Sequence, residues 1–471
     1  MGRKKNRRPH LEKVEIKAFG SEGKALGRYH DKVVFVRLAA PGDVVDVQVT
    51  KKRRQYMEGE ITSFHQYSDQ RISAFCEHYG VCGGCQWQHV PYKTQLSFKQ
   101  QQVIDQLTRI GHLQLPEVSS IMGSENTRYY RNKLEFSFSD MKWLTDYTDS
   151  IDFSELNMNG LGFHPPGRFD RVLDIESCYL QEELSNKIRL RVKELAGQNG
   201  YSFYNARRKE GLLRNLIIRN NQQNQWMVVL VLKYEDQKAA QEILSPIKQE
   251  FPQIVSLMTI INDKPNDSME HLKADLFQGQ SYITEDLGDL TFKIGPLSFF
   301  QTNTSQALKM YQKIREFAQI TGKDIVYDLY TGTGSIALFV ARTASKVIGI
   351  EYVPEAIRDA EVNRDWNNMK NTEFFAGDMA RVLNDDFVAS HGKPDVIITD
   401  PPRAGMHQDV VHQILKMRPS RIVYVSCNPA TQARDTAMLS DSYQIIAVQP
   451  VDMFPHTHHV ENILLLTKKT D

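Results

Sequence analysis

Cysteine is scarce in this sequence: five residues in a chain of 471. That is too few for a disulfide scaffold, and in a reducing compartment such residues serve metal ligation or catalysis. No apolar run approaches the length of a membrane span, and the basic N-terminus lacks the apolar stretch of a signal peptide. The expectation is a cytoplasmic protein with no membrane partner. Internal repeats and low-complexity tracts are also missing, and the net charge is only +1. What remains is the composition of a globular chain, 41% hydrophobic and 24% charged, and its length calls for several domains rather than one core.

The small net charge hides an uneven distribution. Residues 1–60 hold fifteen Lys and Arg against eight Asp and Glu, and the remainder is acidic. The clusters "GRKKNRRPH" and "KKRRQY" read singly as a solvated tail and a solvated loop. Together, at one end of a near-neutral chain, they favour a polyanion such as nucleic acid.

Between residues 12 and 64 the sequence reads as short strands, "VEIKAFG", "VVFVRLA", "DVVDVQVT" and "MEGEITSF", with Pro41-Gly42-Asp43 as a turn. Such spacing predicts a small β-barrel. Arg53, Arg54 and Tyr56 suit a nucleic-acid-facing loop, since a guanidinium binds phosphate and a phenol ring stacks on a base. The stretch resembles the TRAM domain, a small RNA-binding β-barrel. A Gln-rich amphipathic segment at about 92–111 reads as one helix, and 126–290 as mixed α+β. From 323 the pattern becomes strands alternating with helices, a doubly wound parallel sheet. The domains expected are therefore 1–66, a barrel; 67–290, a central α+β domain; and 291–471, a Rossmann-like domain.

Ligands of doubly wound sheets bind at the carboxyl ends of the strands. "DLYTGTGSIA" places Gly332 and Gly334 between a strand and a helix, and Glu351 closes the next strand, where an acid meets a ribose. Both a nicotinamide dinucleotide and S-adenosylmethionine fit this arrangement. "IITDPPRAG" puts Asp400 and two prolines at a later strand end. That stiff acidic element has no evident use in a dehydrogenase, whereas methyltransferases acting on planar nitrogen-bearing rings set such a segment against the target. Asp378, in "FFAGDMA", is either a contact for an adenine amino group or a surface turn residue.

Cys76, Cys82, Cys85 and Cys178 form a C-x5-C-x2-C set with a distant fourth member. Three thiols in a Gly-rich loop read as ligands, for zinc or for a [4Fe–4S] cluster, and spacing does not separate the two. His78 and His89 keep zinc open. With the barrel, "FFQTN", "DLYTGTG", "DPPR", "SCNP" and "HHVEN", the chain resembles, over nearly its whole length, the bacterial 23S rRNA (uracil-C5-)methyltransferases of the iron–sulfur class. The resemblance implies that the four cysteines bind a [4Fe–4S] cluster, with zinc the alternative, and leaves Cys427 over.

C5 of uracil is a poor nucleophile. A thiolate added at C6 makes the ring an enolate whose C5 can attack the methyl of S-adenosylmethionine, and a base then removes the C5 proton. The resemblance assigns Cys427 as nucleophile and Glu461 as base. It places Gln301, Tyr330, Ser335, Glu351, Asp378 and Asp400 around the cofactor and reacting ring. Read without it, Glu461 is a polar residue before the final strand, and His456, His458 and His459 invite a metal. Phe299 either stacks near the uracil or is a core aromatic; Arg403 either counters charge on the uracil oxygens or pairs with an acid. Thr331 stands where many relatives carry a cysteine, in a position whose role is backbone geometry. The implied partner is folded RNA, foremost 23S rRNA, with its target base flipped out, and not DNA; a monomer is expected. The rivals are a tRNA T-loop uridine, a nicotinamide-dependent oxidoreductase, and a non-catalytic RNA-binding protein.

Overall fold

The computed structural model of the protein describes residues 8–145 and 156–470. The chain divides into two compact units, one of residues 1–99 with Phe454–His459 and one of Gln100–Met453 with Val460–Asp471. The polypeptide therefore leaves the second unit after Met453 and re-enters it at Val460. No helix among the described residues is long and apolar enough to cross a membrane.

In the first unit, β1 (His10–Phe19), β2 (Ala25–Tyr29), β3 (Lys32–Val36), β4 (Val44–Lys52) and β5 (Tyr56–Gln66) close a barrel in the order β1-β2-β3-β5-β4. Alternate residues point inward, and Val14, Ile16, Val34, Val36, Val45 and Val47 are completely or almost completely buried. The sequence reading missed β2, whose centre is Gly27. A Cβ there would lie 2.7 Å from the carbonyl oxygen of Glu15, so the residue that hides the strand is the one that lets its neighbour approach. The predicted turn at Pro41-Gly42-Asp43 is present, with Gly42 at φ +97°. Asp43 is fully buried and accepts from the amides of Ala40 (2.6 Å) and Ser68 (2.9 Å) and from Arg71 (2.7 and 2.8 Å). Burial pushes its carboxyl up, but these bonds outweigh it and the net displacement is downward. Arg53 and Arg54 are exposed between β4 and β5; of the first basic cluster, all but Arg8–His10 lies outside the described residues.

The second unit begins within α1 (Tyr92–Arg109). Its first sheet contains β6 (Lys133–Ser139), β7 (Gly160–Phe163), β8 (Leu173–Asp174), β9 (Leu213–Asn220), β10 (Trp226–Leu232), β11 (Ile254–Ile261) and β12 (Ala274–Gly279) in the order β12-β11-β10-β9-β6-β7-β8. Helices α2 (Glu183–Gln198) and α3 (Gln237–Glu250) belong to the same α+β segment. A hairpin, β13 (Ile283–Leu287) and β14 (Leu290–Ile294), and α4 (Thr304–Ala318) follow.

The second sheet is the doubly wound one. Its parallel strands are β15 (Ile325–Leu329), β16 (Lys346–Glu351), β17 (Thr372–Ala376), β18 (Val396–Thr399) and β19 (Arg421–Ser426). Between them run α5 (Ser335–Ala341), α6 (Pro354–Trp366), α7 (Met379–Val382), α8 (Asp385–His391) and α9 (Gln408–Met417). Then come α10 (Pro429–Leu439), β20 (Tyr443–Val451) and β21 (Glu461–Lys468), giving the order β17-β16-β15-β18-β19-β21-β20. Strand order reverses between β15 and β18, which opens a crevice at their carboxyl ends. Because β21 runs antiparallel to β19, its first residue, not its last, lies at that same edge.

Candidate active site

The loop after β15 has two glycines in the left-handed region, Gly332 at φ +56° and Gly334 at φ +78°, and a tyrosine, Tyr330, at φ +63°. A tyrosine there is strained, and such strain gathers at functional sites. Gly334 has no room for a side chain, since a Cβ would meet the Phe374 ring at 2.7 Å. Glu351, at the end of β16, accepts from the amides of Gly332 (3.2 Å) and Val353 (3.0 Å), so the acid assigned to the cofactor also braces the glycine loop. Asp378 follows β17 and caps α7 by accepting from the Ala380 amide at 3.1 Å. Asp400 follows β18, and its amide donates to the Leu329 carbonyl at 3.3 Å. Glu351, Asp378 and Asp400 thus line successive strand ends, as expected of them.

Thr331 does more than shape the backbone. Its hydroxyl donates to the buried Asp328 carboxylate at 2.5 Å, and burial raises that carboxyl to about 7. A thiol is a weaker donor.

Cys427 follows β19 directly, and Asn428 caps α10. The β19–β21 register ends by pairing Ser426 with Asn462, so Cys427 directly follows and Glu461 directly precedes the last paired residues. The topology thus brings Cys427 and Glu461 near one another across 34 residues of sequence, and the charge of Glu461 is felt at the Cys427 thiol. The "DPPRAG" loop is fastened beside them. Asn428 Nδ2 donates to the Arg403 carbonyl (2.9 Å), the Met406 amide donates to Asp435 (2.7 Å), and Arg434 donates to the Ala404 carbonyl (3.0 Å). Gly405, at φ +79°, is hemmed in by Arg434 and Asp435.

The electrostatics are those of a crowded anionic site. Partial burial, then the charges of Glu461 and Asp400, push the Cys427 thiol up to about 11, while Arg403, hydrogen-bonded to it, pulls the other way. Glu461 is 7% exposed. Burial and the charge of Asp400 raise its carboxyl, and Arg403 opposes the rise. Burial raises Asp400 as well. Carboxyls displaced toward neutrality are suited to move protons near pH 7. Arg403 is itself exposed.

Phe299 is 68% exposed, which removes its reading as a core aromatic. Its carbonyl accepts from Thr333 in the glycine loop (3.2 Å), and the Gln301 carbonyl accepts from Asn132 (3.0 Å). Tyr311 was not singled out in the sequence. It sits in the apolar stripe of α4, yet its hydroxyl bonds Ser335 Oγ at 2.8 Å and feels the charges of Asp400, Asp328 and Glu461. The periodicity that marks it as core conceals its polar end.

The cysteines divide between the units. Cys76, Cys82 and Cys85 belong to the first, in a loop turned by Gly80 (φ +91°) and Gly83 (φ +78°); Cys178, buried, belongs to the second. All are reduced. Among the described residues no three His, Cys, Asp or Glu side chains are gathered in ion-holding geometry; the donor chemistry suits thiolate-seeking groups, the gathering is not seen. His89 is no spare ligand. Nδ1 meets the Tyr79 hydroxyl, Nε2 lies 3.2 Å from the Ala39 carbonyl, and burial lowers the ring to about 4. His456 Nδ1 is engaged by Gln95 at 3.2 Å.

The chain is similar to several known proteins. The family model described as tRNA (uracil-5-)-methyltransferase matches residues 269–469, and the TRAM domain model matches residues 12–62. An RNA methyltransferase of Bacteroides thetaiotaomicron is 54% identical over 95% of this chain and 99% of its own length. One from Porphyromonas gingivalis is 51% identical over 97% and 100%. Among solved structures, the Pyrococcus abyssi tRNA (uracil-54, C5)-methyltransferase in complex with S-adenosyl-L-homocysteine superposes with a TM-score of 0.75 at 27% identity, covering 97% of this chain and all of that one.

Proposed function

The chain belongs to the S-adenosylmethionine-dependent RNA methyltransferases that join a TRAM domain to a uracil-5-methyltransferase domain, and from that premise we propose that it methylates C5 of a uridine in 23S rRNA through Cys427 and Glu461. The observation that carries the reading is the register of β19 and β21, which ends on Ser426 and Asn462 and leaves Cys427 and Glu461 as the flanking residues at the carboxyl end of β19, within each other's field.

The Cys427 thiolate adds at C6, and the electron pair passes to the O4 enolate. C5 then attacks the sulfonium methyl and S-adenosylhomocysteine departs. Glu461 takes the C5 proton, the C5–C6 double bond re-forms, and the thiolate leaves. Arg403 steadies the thiolate and the enolate oxygen, and Phe299 offers an exposed face to the flipped base. Gln301, Tyr330, Gly332, Gly334, Ser335, Glu351, Asp378 and Asp400 hold the cofactor. Cys76, Cys82, Cys85 and Cys178 are the residues that would hold a [4Fe–4S] cluster, or zinc in its place; such a group organises the fold around it, and no step of methyl transfer passes through it. The enzyme acts as a cytoplasmic monomer on RNA, not on DNA.

The cysteine set and barrel together support 23S rRNA. The second reading, a tRNA uridine, is favoured by the name of the Pyrococcus abyssi protein. The test is labelled S-adenosylmethionine with unmodified 23S rRNA or tRNA, using protein purified without oxygen, with Cys427→Ala alongside. Transfer to 23S rRNA that vanishes in the variant is expected. Transfer only to tRNA selects the second reading, and 5-methyluridine formation unaffected by Cys427→Ala overturns the mechanism. Iron and acid-labile sulfide, or zinc, measured in the same protein identifies the group at the cysteines.

A further inference from the structure

A groove of about 500 Å³ opens on the barrel of the first unit, and ligand sites commonly run from about 300 to 1,000 Å³. Its place follows from the strands. The β3–β5 ladder ends at Val36 and Gly59, whereas β5 runs on to Gln66. Beyond that point β4 pairs Val47 with Ile61 and Asp46 with Ser63, so Thr62 is an extra residue in β5. Such a bulge bends the strand and re-aims its side chains. The stretch of β5 that β3 does not pair lines the groove through Glu60 and Phe64, together with Arg37, Leu38, Arg71 and Tyr79.

Two guanidinium groups reach the groove with hydrogens to spare. Arg71 Nε and Nη2 donate to the buried Asp43 carboxylate at 2.8 and 2.7 Å, and Nη2 donates also to the Leu38 carbonyl at 2.8 Å. These bonds fix the group and leave Nη1 accessible and without a partner among the described residues; the side chain as a whole is 19% exposed. Leu38 is held at φ +58°. A bulky residue is strained there, and strain of this kind collects at ligand clamps. Arg37, half-buried in the turn after β3, makes no ion pair or hydrogen bond among the described residues. Burial raises the Tyr79 hydroxyl, and the charges of Arg71 and Arg37 oppose the rise, so both cations bear on the same wall.

The aromatic residues define what accompanies the anion. The Arg71 guanidinium lies 5.0 Å from the Phe64 ring, and Phe64 stacks on Tyr67 with centroids 4.3 Å apart and planes at 19°. Tyr67 is 62% exposed; with one face on Phe64, its other face is turned to solvent. A base stacks on such a face, and guanidinium groups bind phosphate oxygens. Glu60, exposed, also lines the groove. Its charge disfavours a bare polyphosphate but suits a ribose hydroxyl, which can donate to it. We infer that the groove holds one nucleotide of single-stranded RNA outside the target uridine, with its phosphate between Arg37 and Arg71 and its base on Tyr67. The inference rests on the RNA-methyltransferase reading and adds the place on the barrel where the RNA is gripped. The exposed Arg53 and Arg54 are not part of this groove.

The test titrates the full chain, purified without oxygen, with a fluorescently labelled single-stranded uridine decamer, by anisotropy over a series of KCl concentrations. Arg37→Gln, at a position with no bond to lose, should weaken binding and lower the slope of log affinity against log salt by about 0.7, the share of one phosphate contact on a single strand. Tyr67→Ala, at an exposed position, should weaken binding about tenfold and leave the slope unchanged. Native affinity and slope in Arg37→Gln, or native affinity in Tyr67→Ala, overturns the inference. Uridine methylation by the same preparations is scored separately. Methylation with RNA binding unaltered in both variants sinks the groove alone; groove-dependent binding without methylation by the native protein sinks the catalytic reading alone.

Discussion

The anionic crowding around Cys427 makes a quantitative prediction that needs no RNA. An ordinary cysteine has a value of 9.0, and Cys427 is raised to about 11, by partial burial first and by Glu461 and Asp400 next. At pH 7.5 the thiolate fraction then falls from roughly one in thirty to roughly one in three thousand, about a hundredfold. Iodoacetamide reacts with thiolate, so alkylation of Cys427 should be about a hundredfold slower than that of an ordinary thiol of equal access. Access also affects the absolute rate, so the decisive quantity is its pH dependence. Mass spectrometry of the Cys427 peptide should show the rate rising about tenfold per pH unit from 7 to 10, with no plateau near 9. Glu461→Gln and Asp400→Asn each remove a like charge and should move the curve to lower pH; Arg403→Gln should move it higher. An apparent value at or below 9 in the native protein, or unchanged curves in all three variants, would refute the electrostatic account of the site.

Three further outcomes follow from the same geometry. In the proposed mechanism Glu461→Gln leaves the C5 proton without an acceptor, so a methylated RNA–protein adduct through Cys427 should survive denaturing electrophoresis, and Cys427→Ala should abolish it. Glu461 also links stability to pH: a carboxyl raised in the folded state contributes stability fully below its unfolded value near 4.5, and that contribution is lost as pH climbs through the raised folded value. The Tm advantage of Glu461→Gln over the native protein should therefore grow from pH 5 to pH 8, and an advantage that shrinks over that range contradicts the assignment. Gly405→Ala places a methyl 2.5 Å from Arg434 Nη2 and 2.6 Å from Asp435 Oδ2 at a positive φ; a loss of about 2 kcal/mol by chemical denaturation is expected, with methyl transfer reduced further than stability.

Motifs at strand ends were legible because they are short and their residue types are chemically demanding: Asp400 before two prolines, Cys427 before Asn428, the glycines of the cofactor loop. Strand alternation gave the barrel except for β2, where Gly27 replaces the side chain that would have continued the pattern. The nearness of Glu461 to Cys427 could not be read from the residues themselves, since it depends on the register of β19 and β21, whose last pair is Ser426 and Asn462. Tyr311 escaped notice for a related reason. It occupies a buried position of α4, and whether a buried polar tip bonds is decided by what tertiary packing brings to it.

The path of the chain has a consequence for anyone who would take this protein apart. Phe454–His459 belongs to the barrel's unit although it lies between two strands of the catalytic sheet, and β21, which carries Glu461, is the segment after it. A single cut at Lys99 therefore cannot yield either unit entire: the downstream fragment keeps six residues that belong elsewhere, and the upstream one is short of them. Ordinary truncation libraries will misreport both as unstable. A fair dissection requires the six-residue excursion to be replaced by a linker on one side and supplied as a peptide, or fused back, on the other.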